Sequence, residues 1–376
     1  MEQLPFIFGK SADLLNFTDR EEECLRLEMN FKSLINVTII SPRRWGKTSL
    51  VEKVAEKVRA EDKKIKVCMI DLFNVRSETE FYEHFAKGIL KGTSNRWEEM
   101  AESAKKFLSH LLPKITFSPD SQTEISFGVG WDTLQNNPDE ILNLAETIAK
   151  EKKISVVVCM DEFQAIGDLP ESIAFQRKLR AHWQHHHHVG YCLYGSKRTM
   201  LLDIFSNASM PFYKFGDIMF LQKISTSKWS EFIKKRFEDT GKKVTLEQAA
   251  YLAGLVDNHS YYVQQLAQQA WLRTKTSCSK TIIDDSLQCI KNQLSLLFVS
   301  HIETLTSTQI NFLKAVLDGE TAFTSQENLK RYRLGSSANL KKIKNALISR
   351  EIIDIPAKKV EILDPVFKLW LKEDFF

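Results

Sequence analysis

The chain has 376 residues, 43% of them hydrophobic and 27% charged, with a formal net charge of +4. That length suits two or three domains with sizeable cores, and the charge is too small to imply a nucleic-acid partner by itself. No apolar run approaches the length of a bilayer span, and Met1-Glu2-Gln3-Leu4-Pro5 lacks the basic and apolar regions of a signal peptide, so a cytoplasmic protein with no membrane partner is expected.

In chain order, Thr18 or Asp19 stands ahead of Glu21-Glu22-Glu23 as the expected cap of a helix carrying Leu25, Leu27 and Met29 toward a core. Val37-Thr38-Ile39-Ile40 reads as a buried strand. The turn Ser41-Pro42-Arg43-Arg44-Trp45-Gly46-Lys47-Thr48-Ser49 follows, and then a helix with Leu50, Val51, Val54 and Val58 on one face. Strand 65–72 and a helix over 78–91 come next, followed by a helix over 98–112, a hairpin across 115–127 and a helix near 139–151. Ile154–Met160 is the most apolar strand of the chain and runs straight into Asp161-Glu162-Phe163-Gln164. A helix over about 173–187, a strand over 190–194 ending at Gly195-Ser196, a helix over 200–205 and a strand over 218–221 complete an alternating pattern. Alternation of this kind implies a parallel sheet covered on both faces.

From about Ser225 the pattern turns helical, over 228–239, 245–255, 260–274 and 282–298. From about Glu303, three helices over 307–317, 326–332 and 337–350 precede two short strands, 352–355 and 360–363, in the order of a winged helix-turn-helix. The expected division is an α/β core over 1–224, a helical lid over 225–302 and a winged helix over 303–376. Six scattered cysteines form no metal-type or redox-type pair and read as free thiols in a reducing cytosol. The internal run His185–His188 cannot point one way on a helix, because adjacent residues diverge by about 100°.

Strand, tight turn, Gly-Lys-Thr and helix is the layout of a phosphate-binding loop. Backbone N–H groups of the turn and the first helical turn face the phosphates, where the helix dipole also favours negative charge. Lys47 can reach the β- and γ-phosphates, and the Thr48 hydroxyl can ligate Mg²⁺. The usual pattern has glycine seven residues before the threonine, where this chain has Ser41. The bland alternative is a strand-to-helix turn with an exposed lysine. Asp161, at the C-terminal end of its strand, is placed to hold Mg²⁺ through water, and Glu162 to orient or deprotonate an attacking water. Ser196 ends the next strand, where it contacts the γ-phosphate or the water, or only satisfies a turn. His259 precedes the helix 260–274 and either lies over the nucleotide or is a capping-region residue.

These residues resemble the archaeal-type ATPases of the AAA+/STAND grouping. Phe17-Thr18-Asp19-Arg20-Glu21-Glu22-Glu23 is similar to the family's N-terminal box beside the adenine, which implies a cofactor-binding role for Arg20. Ser41–Thr48 resembles its phosphate loop, Asp161-Glu162-Phe163-Gln164 its acidic motif, and Gly195-Ser196 the end of its sensor strand. Leu363–Leu371 resembles its usual ending. The resemblance implies a P-loop NTPase core with a parallel sheet, then a helical lid and a winged helix, and ATP with Mg²⁺ as ligands. Three positions depart from the pattern. Asp19 replaces the box glycine, Ser41 replaces the loop glycine, and Phe215 stands where the family often carries an arginine finger. Slow hydrolysis follows from the last.

Three functions compete on the sequence. The first is an ATP-hydrolysing switch that responds to ATP and ADP. The second is an ATP-regulated DNA-binding protein, with Lys330, Arg331, Arg333, Lys341, Lys342 and Lys344 clustered about a recognition helix. The third is a nucleotide-binding scaffold with little turnover and a protein partner or second copy of the chain. Measured turnover that Glu162→Gln abolishes separates the first from the third, and a steep salt dependence of DNA binding marks the second.

Overall fold

The computed structural model describes residues 4–10, 16–107, 138–356 and 359–376. The expected hairpin over 115–127 and the end of the helix expected over 98–112 lie outside these residues. The chain divides into two units, one of residues 20–222 and one that joins residues 1–19 to 223–376.

The first unit is a five-stranded sheet with helices. Its strands are β1 (Val37–Ile40), β2 (Ile65–Asp71), β3 (Ser155–Asp161), β4 (Val189–Gly195) and β5 (Asp217–Phe220). They lie in the order β2-β3-β4-β1-β5, and every pair is parallel. β1 and β4 are buried along their whole length, as expected of strands sandwiched between helical layers. The helices are α1 (Glu21–Lys32), α2 (Lys47–Glu61), α3 (Glu78–Thr93), α4 (Trp97–Phe107), α5 (Pro138–Leu142), α6 (Leu144–Lys152), α7 (Ser172–Trp183) and α8 (Arg198–Ser206). A 3₁₀ turn over Phe163–Asp168 follows β3.

Leu50, Val51, Val54 and Val58 are all buried on α2, as their spacing requires. Ser77 caps α3 by accepting the Glu80 amide. Gly88 and Gly92, one turn apart on α3, bring this helix hard against β2. A Cβ on Gly92 would lie 2.3 Å from Cys68 Sγ, and one on Gly88 would lie 2.5 Å from Ile70 Cγ1.

Three local expectations are corrected. Neither Thr18 nor Asp19 caps α1. The N-cap is Arg20, which makes no side-chain capping bond, and both Asp19 and Arg20 sit in the left-handed region with φ of 58° and 74°. Asp19 therefore occupies a conformation glycine takes freely and aspartate tolerates. Leu25 and Met29 are 59% and 61% exposed, and only Leu27 of the three enters the core. Lastly, the helix expected over 139–151 breaks at Asn143 into α5 and α6.

The second unit is helical: α9 (Thr226–Glu238), α10 (Leu246–Leu255), α11 (Ser260–Arg273), α12 (Lys280–Glu303), α13 (Ser307–Leu317), α14 (Gln326–Arg331), α15 (Ser337–Ser349) and α16 (Pro365–Trp370). β6 (Ile353–Asp354) and β7 (Glu361–Ile362) form its antiparallel wing. One apolar cluster runs from Phe6 and Ile224 to Trp370 and Leu371. Residues early in the chain join it, because the Phe6 ring packs on Phe237 and Arg236 donates to the Pro5 carbonyl at 2.7 Å. Thr245 and Thr306 form full capping boxes with Gln248 and Gln309, which fixes the starts of α10 and α13. Asp364 caps α16 through the amides of Val366 and Phe367, both at 2.9 Å, and accepts the Tyr262 hydroxyl at 2.5 Å.

Candidate functional site

The site builds up from the C-terminal ends of three adjacent strands. β4 lies between β1 and β3, so the turn after β4 stands between the turn after β1 and the acidic pair after β3. The crevice outside strand ends, at the point where chain order reverses, is where open α/β sheets hold ligands.

After β1 the chain turns through Arg44 (φ 63°) and Gly46 (φ 88°) into α2. The amides of the first turn of α2 have no acceptor within the helix, so they form a ready donor set for an anion. Ser41 does not take a left-handed conformation, so the missing loop glycine costs no backbone strain; the serine is buried and its hydroxyl donates to the Pro42 carbonyl at 3.2 Å. Lys47 is buried as well. Its ammonium donates to the Ser41 carbonyl at 3.1 Å and the Pro42 carbonyl at 2.9 Å, curled back over the turn. Ser49 is buried beside it in the first turn of α2, while Pro42, Arg43, Arg44 and Trp45 form the rim. Arg20, buried at the head of α1, pairs with Glu23 at 2.9 Å and reaches the Trp45 carbonyl at 3.3 Å, which ties α1 to the turn.

Asp161 closes β3. Its Oδ2 accepts the Thr48 hydroxyl at 2.8 Å, and its Oδ1 accepts the Glu162 amide at 2.8 Å. Burial pushes this carboxyl up to about 6, against the opposing pull of those hydrogen bonds and of Lys47, and the Glu162 charge pushes the same way as burial. Glu162 sits in the left-handed region at φ 52°, which turns its side chain off the strand line. Its Oε2 accepts the Ser196 hydroxyl at 2.9 Å and the Gln164 side-chain amide. Arg43 Nε in turn donates to Ser196 Oγ at 3.2 Å, so one hydroxyl links the basic rim to the acidic pair.

Gln164 went without a role in the sequence reading. It is buried, it donates to Glu162, and its Oε1 has no hydrogen-bond partner among the described residues. Gly195 exists to admit it, since a Cβ there would lie 1.8 Å from Gln164 Oε1. The signal for this pair was present in Gly195 and Gln164 but needed the sheet order to connect them.

The structure therefore brings Lys47, Thr48, Asp161, Glu162 and Ser196 together. His259 belongs to the other unit, where it precedes α11 and its ring lies 5.2 Å from that of Tyr262. Thr48 and Asp161 offer adjacent hard oxygen donors, the kind Mg²⁺ takes when phosphates supply the rest of its shell. Among the described residues no group of three or more His, Cys, Asp and Glu could hold a metal on its own.

Phe215 is buried against Phe212, Tyr191 and Trp183, and the Arg180 guanidinium lies 4.7 Å from its ring centre. An aromatic residue there serves the core. The basic cluster of the winged-helix region is partly taken up by other contacts. Arg331 pairs with Glu320 at 3.2 Å, and Lys344 lies over the rings of Phe312 and Phe323, where burial lowers its pKa. Lys330, Arg333, Lys341 and Lys342 remain exposed.

Comparison with solved structures finds the same fold. A Walker-type ATPase of Pyrococcus abyssi superposes with a TM-score of 0.67 at 16% identity, over 98% of this chain and all (100%) of that one. The ORC2 protein of Aeropyrum pernix, in its ADPNP–ADP complexes, superposes with a TM-score of 0.60 at 14% identity, over 96% of this chain and 94% of that one. The chain has the Walker-type ATPase fold. Residues 296–373 match the family described as "Probable winged helix domain", and the P-loop unit precedes it. No curated protein matches the sequence. Among the described residues of this Walker-type fold, no helix is long and apolar enough to cross a membrane.

Proposed function

We propose that the protein binds ATP with Mg²⁺ at the turn between β1 and α2, hydrolyses it slowly, and works as a STAND-like switch in the cytoplasm. The observation that carries this reading is the convergence of Lys47, Thr48, Asp161, Glu162 and Ser196 at adjacent strand ends. Phosphate would take the amides of the first turn of α2, and Lys47 would release the two loop carbonyls to meet it. Thr48 and Asp161 would hold Mg²⁺, which supplies charge neutralisation at the phosphates. Glu162, steadied by Ser196 and Gln164, would orient the attacking water. Arg20 would support the loop beside the adenine; the helical lid is proposed over 225–302, with His259 as its candidate nucleotide contact. The buried aromatic Phe215 supports slow turnover, because it offers no positive charge for the transferring phosphoryl group.

The test is a thermal-shift series with ATP, ADP and GTP, with and without Mg²⁺. ATP and ADP should stabilise the protein and GTP should not, and the ATP effect should depend on Mg²⁺. No shift with any nucleotide would overturn the reading. Arg198, just past the Gly195-Ser196 turn, is the nearest alternative arginine in sequence, so hydrolysis is then measured as specific activity across a wide range of protein concentration, in the wild type and in Arg198→Ala. A rate that stays low and flat supports the slow switch, and a steep rise with concentration indicates a finger supplied by a second copy.

The second reading, DNA contact through the winged helix, rests on exposed Lys330 and Arg333 ahead of α15 and exposed Lys341 and Lys342 within it. With about three phosphate contacts, the slope of log affinity against log salt should be close to −3. A protein partner is left as the third reading.

A further inference from the structure

We propose that the free edge of β2 captures an extended acidic peptide from a partner protein by strand addition. β2 is the last strand of the sheet, with β3 its sole strand neighbour among the described residues. In a strand, alternate residues send both backbone groups to the same side. The Lys64 carbonyl accepts the Ser155 amide and the Leu72 amide donates to the Asp161 carbonyl, so the even-numbered residues of β2 face β3. Ile65, Val67 and Met69 therefore turn their backbone groups outward. Arg59 Nη2 donating to the Val67 carbonyl at 2.5 Å fixes that direction independently.

An open groove of about 560 Å³ runs along this edge and is lined by these same three residues. α3 forms one wall, held close by Gly88 and Gly92, and the end of α2 contributes to the other. Every charged residue that lines the groove is basic: Arg59, Lys63, Lys66 and Lys91. Glu99, whose carboxyl Lys66 also influences, is taken up by Lys152 at 2.7 Å and by the Asn95 amide at 2.8 Å. Two of the outward groups are already held, the Ile65 amide by the Asp62 carbonyl at 3.2 Å and the Val67 carbonyl by Arg59, so among the described residues the groove combines the outward amides of Val67 and Met69 and the outward carbonyls of Ile65 and Met69 with concentrated positive charge. A peptide backbone supplies both the donors and the acceptors a strand edge lacks, and acidic side chains on it meet the four cations. A nucleic-acid backbone fits less well, because phosphates would face the outward carbonyl of Met69 and gain nothing from it. The site is separate from the nucleotide site and does not depend on it.

Basic residues beside an edge strand can also serve only to discourage strand pairing between copies. That role predicts no affinity for any peptide, which makes the choice testable on the full chain. The probes are a labelled, end-blocked peptide of alternating glutamate and valine, seven residues long, its lysine–valine counterpart, and a labelled single-stranded DNA 12-mer. Binding is followed by fluorescence anisotropy, and backbone exchange at Val67 and Met69 by hydrogen–deuterium exchange. The acidic peptide should bind at least about tenfold tighter than the basic one, and K66E together with K91E should weaken it by at least about tenfold. The Val67 and Met69 amides should exchange quickly in the free chain and become protected by the acidic peptide. Equal affinity for the two peptides would overturn the proposal. So would DNA binding that K66E and K91E remove in the absence of peptide binding, or protection of both amides before any peptide is added.

Discussion

Two carboxylates at opposite ends of the same sheet, Glu146 buried and Asp161 half-buried, meet opposite treatment. Glu146, on α6, lies where β4 begins; its carboxylate takes the His188 amide and ring nitrogen, both at 2.9 Å, and pairs with Lys150 at 3.2 Å. Burial alone would raise its pKa, yet the hydrogen bonds from His188, His187 and Lys150 outweigh it and bring the carboxyl down to about 2. Asp161, where β3 ends, has one hydroxyl and one amide, and Glu162 beside it adds like charge. Burial wins there. The contrast separates a carboxylate that completes a structure from one left short of positive charge. A half-buried acid whose pKa is displaced in this way marks a candidate functional group rather than a structural one.

The largest effect should come from Glu162→Gln. The amide keeps the size and part of the hydrogen bonding to Ser196 and Gln164 but cannot take a proton. Turnover should fall by about 10²–10⁴-fold with ATP affinity retained, the range associated with a positioned general base. Single-turnover hydrolysis beside a binding titration checks it, and a wild-type rate would move the role to another residue.

Next in size is Lys47→Ala. Its ammonium is held by two loop carbonyls in the ligand-free chain, so removal should leave that fold intact and abolish the nucleotide response. At a hundredfold excess over the dissociation constant, ATP should contribute about 2.7 kcal/mol to the wild type and almost nothing to the variant. Matching thermal shifts would remove Lys47 from the site.

Much of this was legible in the sequence because burial and backbone chemistry are local there. The strands at 37–40 and 155–161 are mostly apolar, and the helices over 78–91, 245–255 and 307–317 show in their local pattern. The acidic pair and Gly46-Lys47-Thr48 were visible as motifs. What stayed hidden depended on which strand lies beside which. The link from Arg43 through Ser196 to Glu162 exists because β4 separates β1 from β3, and strand order is not written in local spacing. Leu25 and Met29 misled because hydrophobic residues also occur on surfaces, so periodicity identified the helix better than it identified the buried face. Lys344 misled in the opposite sense, since its stem lies on aromatic rings that are distant in sequence.

The comparison of carboxylates becomes sharper when each is neutralised. Glu146→Gln removes the charge that its donors are arranged around and should destabilise the ligand-free protein by about 2 kcal/mol. Asp161→Asn relieves a half-buried charge in deficit and should leave the ligand-free protein equally stable, or more stable by about 1–2 kcal/mol at pH 7.5, while weakening the Mg²⁺ dependence of ATP binding. Denaturant melts of both variants without nucleotide check the signs. Destabilisation of the same size in both would erase the distinction drawn between the two ends of the sheet.

The smallest effect is a pH dependence at the structural end. His186 Nε2 donates to Asn143 Oδ1 at 3.0 Å, which leaves Nδ1 to accept the Tyr191 hydroxyl at 2.8 Å. That neutral ring is fully satisfied. A second proton would make Nδ1 a donor, and the buried Tyr191 hydroxyl would then have to accept it while its own proton lost its acceptor. Burial accordingly pushes the ring down to about 4, with Lys150, His182 and His185 lowering it further and Glu146 opposing them. The folded chain then resists a proton that the unfolded chain accepts near 6.5, so stability must fall as pH drops from 6.5 toward 4. Glu146 acts in the same direction but lower, between 4.5 and about 2, whereas Asp161, held up to about 6, takes a proton in the folded chain between pH 7 and 5 and acts in the opposite direction, so the difference between the wild type and His186→Gln isolates the histidine. Over that interval the loss from His186 should be about 1–2 kcal/mol. His186→Gln keeps hydrogen-bonding capacity without the titration, and its unfolding free energy should lose that much less than the wild type's between the two pH values. Parallel losses in both proteins would show that His186 is protonated in the folded state and that its bond to Tyr191 is not what holds the ring neutral.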